Sequence, residues 1–348
     1  MSVSKISVLF VLASALAFLS KPLPAQAVHA PARAAAASEP EEDPIALRGS
    51  QWTQRIESDL VEEKFDELDH MAAEYRTQKT RFKGGSWKLT AFYGALDKPE
   101  LTDKDTRDHM EHLKHWIAQR PESITARVAL AASLHRWAWV ARGNGMADTV
   151  TAEGWLQFDK RIKESESVLK AAANLHERCP AWYSEMMVVG LAQSWDASRM
   201  KETFDQAVQF EPDYFRFYKE YANYLLPKWD GKPGEASAFA KTAADNVGGE
   251  AGDQIYFHIA LVLISRGNGS FPVKEMDWAR IQRGYQSLTA QYGNTNGLKN
   301  HIAYMAWKFR DAAFAHQQFE LIGDKWSRGV WRDKEYFDRA RDWAQTHS

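Results

Sequence analysis

Apolar residues recur three or four positions apart along almost the whole chain after residue 51. One such stripe runs from Trp52 to Tyr75, with Asp, Glu and Lys on the opposite side of the single helix that it predicts. Segments with alternating β-branched residues are nearly absent, so the pattern predicts an all-α protein without a sheet. Further helices are predicted at 110–117, 126–141, 155–172, 181–196, 198–210, 213–226, 235–246, 252–265, 276–290, 297–309, 311–322 and 332–345.

Short links between the predicted helices and one helix-capping signal indicate where helices begin and end. Thr102, followed three residues later by Asp105, predicts the start of a helix. Segments with Gly or Pro, such as 143–145 and 230–234, separate successive helices. Because the links are short, neighbouring helices are expected to run antiparallel.

Parts of the helical pattern repeat. The string Arg-Gly-Asn-Gly occurs twice, at 142–145 and 266–269. A helical hairpin buries its apolar stripe only against the next hairpin, so several must stack into a curved array with a concave face. We therefore predict one α-solenoid domain over residues 51–348, with a non-repetitive all-α domain as the alternative. Two spacings match the second helix of a tetratricopeptide repeat: Phe204-x2-Ala207-x4-Pro212 and Ala315-x3-Phe319.

The N-terminus predicts export. Residues 6–20 form a continuous apolar run, and Ala25-Gln26-Ala27 supplies a cleavage site, so residues 1–27 are predicted to be a signal peptide. Residues 28–50, rich in Ala, Pro and Glu, are typical of a disordered tether. We expect a periplasmic or secreted protein with no integral membrane segment after cleavage. An uncleaved signal that acts as an anchor is the alternative.

Composition excludes several function classes. The 348 residues carry a net charge of −2, which gives no indication of nucleic-acid binding. The single cysteine, Cys179, excludes an intrachain disulfide and a site with several thiolates, and we expect it to be a packed thiol at a helix end. The 14 Trp residues are many for this length, and they direct attention to aromatic binding surfaces.

Three segments carry a resemblance to known sequences. They are Cys179-Pro180 with Trp182-Tyr183, Gly190 with Trp195-Asp196, and Tyr221-Ala222-x2-Leu225-Leu226-Pro227-Lys228-Trp229-x-Gly231. Together they resemble an uncharacterised bacterial family, a domain-of-unknown-function group with tetratricopeptide-like helices, over about residues 120–325. The resemblance implies an α-solenoid fold and assigns no catalytic residue.

The densest group of ionisable residues is a run of histidines on one predicted helix. His109, His112 and His115 are spaced so that two of them could chelate a metal ion. The apolar stripe of the same helix turns these histidines toward solvent, and no third ligand is evident. We therefore predict a solvated polar face and no metal or other cofactor.

Aromatic residues beside carboxylates are the strongest binding candidates. Trp139 lies off the apolar stripe that contains Trp137, so it is expected to face a groove or solvent. Trp195-Asp196 and Trp229-Asp230 lie at helix ends, where a ring and a carboxylate could face a groove together.

We predict a non-catalytic scaffold that presents a groove to a protein or peptide partner. Helical repeats bind through such surfaces, and the step from fold to function is an analogy. The alternative is a glycan-binding protein or a glycan-cleaving enzyme that uses the same Trp residues and nearby carboxylates. A glycosidase would need two carboxylates that face each other in a pocket, which sequence spacing alone does not place.

Overall fold

The structure is a computed structural model that describes residues 50–97, 102–267 and 271–348. Sixteen α-helices occupy most of these ranges, where the only extended pairing is a single antiparallel bridge between Arg81 and Trp87. The all-α prediction is therefore confirmed. The helices are α1 (Gln51–Val61), α2 (Phe65–Gln78), α3 (Lys88–Leu96), α4 (Asp103–Gln119), α5 (Ile124–Arg142), α6 (Ala152–Ala172), α7 (Pro180–Ala192), α8 (Ala197–Phe210), α9 (Arg216–Tyr224), α10 (Glu235–Val247), α11 (Gly249–Arg266), α12 (Trp278–Tyr292), α13 (Asn296–Phe309), α14 (Ala312–Ile322), α15 (Arg328–Trp331) and α16 (Lys334–His347).

Side-chain caps fix the start of several helices. The hydroxyl of Thr102 accepts a hydrogen bond from the N–H of Asp105 at 3.2 Å, which confirms the predicted start of α4. Asp196 caps α8 in the same way, since its carboxylate accepts from the N–H groups of Ser198 and Arg199, both at 3.0 Å. Each such cap satisfies backbone donors that the helix itself leaves free, and contributes about 0.5–2 kcal/mol.

Two elements differ from the sequence expectation. The stripe from Trp52 to Tyr75 was predicted as one helix, but the chain breaks between α1 and α2, where Glu63 adopts a left-handed conformation with φ of 57°. No Gly or Pro marks this break. Helix α3 was not predicted, because most of its residues are apolar and buried, and its sequence shows no single stripe.

Helices that follow each other in the chain pack together, as α5 does with α6, α10 with α11 and α13 with α14. Helices two apart also pack, in the series α3 with α5, α5 with α7, α7 with α9, and α9 with α11. A row of stacked hairpins has this packing, so the α-solenoid prediction is compatible with the structure.

The main core connects α1 to α13, and a second cluster around Trp331 joins α13 to α16. The residues that carry the predicted repeat spacing are buried in these clusters: Phe204, Ala207, Ala315 and Phe319.

Several predicted features lie wholly or partly outside the described residues. The signal peptide at 1–27 falls there, as does the tether except for Ser50, which caps α1. The second Arg-Gly-Asn-Gly string also falls partly outside, at 268–269. Within the described ranges, no helix combines the length and apolar character needed to cross a membrane.

Candidate functional site

A cavity of about 640 Å³, here called the groove, opens between alternate helices of the main core. Its walls come from α3, α5, α7, α9 and α11, together with short segments that adjoin α3 and α9. These are the helices that pack in the series described above, so one helix of each predicted hairpin contributes to the same surface. Its charged and aromatic lining includes Trp87, Asp97, His135, Arg136, Trp139, Glu185, Phe215, Arg216, Lys219, Glu220, Lys228, Trp229, His258 and Arg266.

An alternating row of charges crosses the floor of the groove. Glu185 on α7 is only 1% exposed, and its two carboxylate oxygens lie 2.9 Å from Nη2 of Arg216 and 2.8 Å from Nδ1 of His135. Arg216 continues to Glu220 at 3.5 Å, and Glu220 continues to Arg266 at 3.2 Å. The row therefore joins α5, α7, α9 and α11 through ion pairs, which together with the helix packing hold the walls of the groove in register.

The electrostatics of this row keep Glu185 ionised. Burial alone would raise the pKa of its carboxyl, but the charges of Arg216 and His135, together with the hydrogen bond from Arg216, outweigh burial and lower the pKa to about 2. Burial likewise disfavours the charged form of His135, yet Glu185 raises the pKa of that imidazole above its usual value. Each partner thus stabilises the charge of the other.

Asp97 is the groove carboxyl with the opposite shift. It follows α3 and lies 3.7 Å from Nε of Arg136, and its Oδ1 is buried without a hydrogen-bond partner among the described residues. Burial raises the pKa of Asp97 to about 6, against the opposing charges of His135 and Arg136. This carboxyl can therefore exchange a proton near neutral pH.

Two lysines in the groove have no carboxylate partner within the described ranges. Lys219 on α9 is half-buried, whereas Lys228 is exposed and its Nζ lies 5.8 Å from the centroid of the Trp229 ring. The pKa of Lys219 is lowered by burial and by the positive charges of Arg266 and Arg216. Positive charge therefore accumulates at this side of the groove.

His258 on α11 also lines the groove, close to Lys219, and is buried with 8% exposure. Its ring packs on Phe215 with centroids 4.8 Å apart, and neither ring nitrogen has a hydrogen-bond partner among the described residues. Burial and the charges of Lys219 and Arg81 lower the pKa of His258 to about 3. The imidazole is therefore neutral at physiological pH.

The shift at His258 makes stability depend on pH. Below pH 6.5 the unfolded chain binds a proton at this histidine that the folded chain does not bind, so stability falls as the pH falls. Between pH 6.5 and 5, wild type is expected to lose about 1.6 kcal/mol more than His258→Phe. Urea unfolding of both proteins across this pH range measures the difference. His135 and Asp97 titrate in both proteins, so their contributions to the pH dependence cancel when the two are compared. Equal pH dependence of the unfolding free energy in wild type and His258→Phe would contradict the lowered pKa of His258.

Trp139 and Trp229, two of the predicted binding residues, meet at the groove although they are distant in sequence. Their ring centroids are 5.8 Å apart at 73°, an edge-to-face arrangement, and Trp139 also packs on Phe158 at 5.0 Å. Both rings are half-buried, and the Nε1 of Trp229 has no hydrogen-bond partner within the described part of the chain. The pair therefore offers an aromatic surface at the wall of the groove.

The other Trp and Asp candidates lie elsewhere. Trp195 is 5% exposed and packs in the core, so the expectation of an accessible ring is wrong for this residue. Gly190 makes room for it, since a Cβ there would lie 2.6 Å from the Trp195 ring. Asp196 is the cap of α8, and Asp230 is exposed and does not line the groove.

The three histidines of α4 do not share one face of the helix. His109 is buried, and its Nε2 lies 2.7 Å from the carbonyl oxygen of Leu96, which corrects the expectation that it faces solvent. His115 faces solvent and pairs with Glu63 at 2.7 Å, and His112 lies at the same surface. Among the described residues, no three His, Cys, Asp or Glu side chains converge as a metal site.

Cys179 is buried at the start of α7, with 1% exposure, and its Sγ lies 3.4 Å from the hydroxyl of Tyr93. Burial raises the pKa of the thiol above its usual value. A thiol in this state is a poor nucleophile, which fits the prediction of a packed corner residue.

Sequence reasoning missed most of the charged groove residues. The helical pattern and the motifs did not indicate Glu185, Arg216, Lys219 or His258 as site residues. One signal was present, because Glu185 is the only charged residue of α7 and His258 lies in the middle of the apolar α11. A charge within an otherwise buried helix must have a partner or a function.

The part of the chain that supplies the first walls of the groove matches a known sequence family. Residues 53–194 match the model of a domain of unknown function (DUF4034). This confirms the resemblance to an uncharacterised domain-of-unknown-function family, but over a different range: the match begins before the predicted residues 120–325 and ends at residue 194, so the segment 221–231 lies outside it. The DUF4034 match runs from α1 through α7 and includes His135, Trp139 and Glu185, whereas α9 and α11 lie beyond it. No curated protein and no solved structure matches the chain.

Proposed function

We propose that this protein is an exported, non-catalytic binding protein whose groove takes a segment of a protein or peptide partner. Support comes from the placement of the groove: five alternate helices contribute to one cavity, and the Trp139–Trp229 pair lies at its wall. Arrays of helices bind partners along such surfaces, and aromatic anchors dominate the binding energy of interfaces. The proposal of export rests on the signal peptide predicted from the sequence of residues 1–27.

The state of the groove carboxylates supports a non-catalytic role. Glu185 and Glu220 each lie between two cationic side chains, and the pKa of each is lowered despite burial. A general base works best with a pKa near the working pH. These two carboxylates instead fit a structural role in shaping the walls.

Selection of a displayed random peptide library for binding to the purified mature protein tests this function. Trp139→Ala is expected to weaken the selected peptides at least about tenfold, because an anchoring Trp contributes 1–2 kcal/mol or more. Trp137→Ala is the matched control, since Trp137 lies on the same helix outside the groove, with Arg161 stacked 3.5 Å from its ring centroid. Its effect is expected on stability instead.

Two results would contradict this assignment of Trp139. One is a set of selected peptides that bind Trp139→Ala as tightly as wild type. The other is a loss of unfolding free energy for Trp139→Ala as large as that for Trp137→Ala, because Trp139 would then be a core residue.

One observation favours glycan binding or cleavage as a second candidate. Asp97, with its pKa of about 6, lines the same groove as the Trp139–Trp229 pair, and a carboxyl with a raised pKa can act as a general acid. A cell-wall glycan preparation incubated with wild type and with Asp97→Asn tests it. New reducing ends produced by wild type and lost in the variant would favour the enzyme over the peptide-binding protein.

A further inference from the structure

The groove carries an excess of positive charge. Five of its lining residues are Lys or Arg and three are Asp or Glu. The pKa of Asp97 lies near neutrality, and that of His135 is raised, so the excess is larger below neutral pH. A low-dielectric cavity of one sign attracts ligands of the opposite sign. The positive residues are Arg136, Arg216, Lys219, Lys228 and Arg266.

The excess is concentrated where α9 meets α11. Glu185 and Glu220 are each held between two partners, and Asp97 lies beside Arg136. Lys219 and Lys228 remain without a carboxylate in the described part of the chain. A half-buried ammonium beside other cations is unfavourable unless an anion offsets it.

His258 supplies an independent indication at the same place. A buried imidazole normally has a hydrogen-bond partner for at least one nitrogen. His258 has none among the described residues, although it lines the groove beside Lys219. Because it is neutral, it can donate one N–H to an incoming oxygen without adding charge.

We propose that the groove binds an anionic group of its ligand, a carboxylate or a phosphate, and that Lys219, His258 and Arg266 contact it. This inference rests on the proposed role of the groove as a binding site. The ammonium of Lys219 supplies the main charge, and His258 supplies a hydrogen bond. Arg266 keeps its pair with Glu220 through one nitrogen and can offer others. The Trp139–Trp229 pair then packs against the rest of the ligand.

Isothermal titration of the full mature protein with inorganic phosphate and, separately, with succinate tests the site. At least one anion is expected to bind with 1:1 stoichiometry, and added salt should weaken the binding. Phosphate alone, succinate alone or both then identifies the class of anion. An absence of saturable binding by either anion at millimolar concentrations would overturn the proposal.

Variants of Lys219 locate the anion. Lys219→Met removes the charge and keeps the length of the side chain, and it is expected to weaken anion binding about tenfold. Lys219→Arg keeps the charge and is expected to retain anion binding. Lys201→Met is the matched control, since Lys201 lies on α8 outside the groove and pairs with Asp205 at 2.6 Å. Binding that is equally strong in Lys219→Met would contradict the site even if the anion binds elsewhere. Thermal unfolding of each variant verifies that it is folded.

The outcome separates this inference from the proposed function. Anion binding that depends on Lys219, with no peptide selected by display, would contradict the peptide-binding role and leave the anion site intact. Selected peptides without enriched acidic residues, together with no anion binding, would contradict only the anion site.

Discussion

Replacing Glu185 with glutamine is expected to lower the free energy of unfolding by about 3–5 kcal/mol. The substitution keeps the shape of the side chain and removes its charge, which leaves His135 without its partner and Arg216 with only Glu220 at 3.5 Å. The size of the effect follows from burial, since Glu185 is 1% exposed. A lowering of its pKa from 4.5 to about 2 corresponds to about 3 kcal/mol, which is consistent.

Urea unfolding at neutral pH measures this loss, and its pH dependence provides a second check. Because the folded pKa is lowered, the stability from Glu185 is present above pH 4.5 and disappears as the pH falls toward 2. Wild type should therefore lose this increment in acid, and Glu185→Gln should not. Asp205→Asn, in an exposed pair with Lys201, is the control and should cost less than about 1 kcal/mol. A cost of the same size for Glu185→Gln would show that the row of charges contributes little.

Phe204→Ala is expected to destabilise the fold by about 3–5 kcal/mol. Phe204 is buried on α8, and its ring stacks on Tyr221 with centroids 4.6 Å apart. Tyr218 and Phe239 contact it edge-on, both at 5.4 Å. Truncation would leave a cavity among three rings on α9 and α10 that cannot easily close.

Thermal and urea unfolding of Phe204→Ala give the measurement. Leu156→Ala is the control, because Leu156 is 61% exposed on α6 and should change stability by less than about 0.5 kcal/mol. An unchanged melting temperature for Phe204→Ala would refute the repeat assignment at this hairpin.

Periodicity was sufficient for most of the fold because amphipathic helices carry their own signal. The start of α4 at Thr102 and the buried positions Phe204 and Phe319 were all predictable in this way. The break at Glu63 was not, since it lies in a charged segment without Gly or Pro. Helix α3 was missed because most of its residues are apolar and its sequence shows no single apolar stripe.

The site was less predictable because its contacts join distant parts of the chain. Trp139 and Trp229 are adjacent only because α5 and the segment after α9 line the same groove. The partner of Glu185 lies 31 positions away, at Arg216. Trp195 was misjudged because its burial depends on the missing side chain of Gly190. Such contacts depend on how the helices pack against each other, and the spacing of apolar residues within one helix does not predict that packing.

The buried thiol of Cys179 has a consequence for the order of events during folding. Tyr93, which contacts it, lies 86 positions earlier in the chain, so the native cover of the thiol is complete only once this long-range contact between α3 and the start of α7 has formed. A chain with one cysteine can form disulfides only with another molecule. In the oxidising compartment that the proposed export implies, docking therefore competes with intermolecular oxidation. The yield of protein with a reduced Cys179 then depends on how fast the contact between α3 and the start of α7 forms.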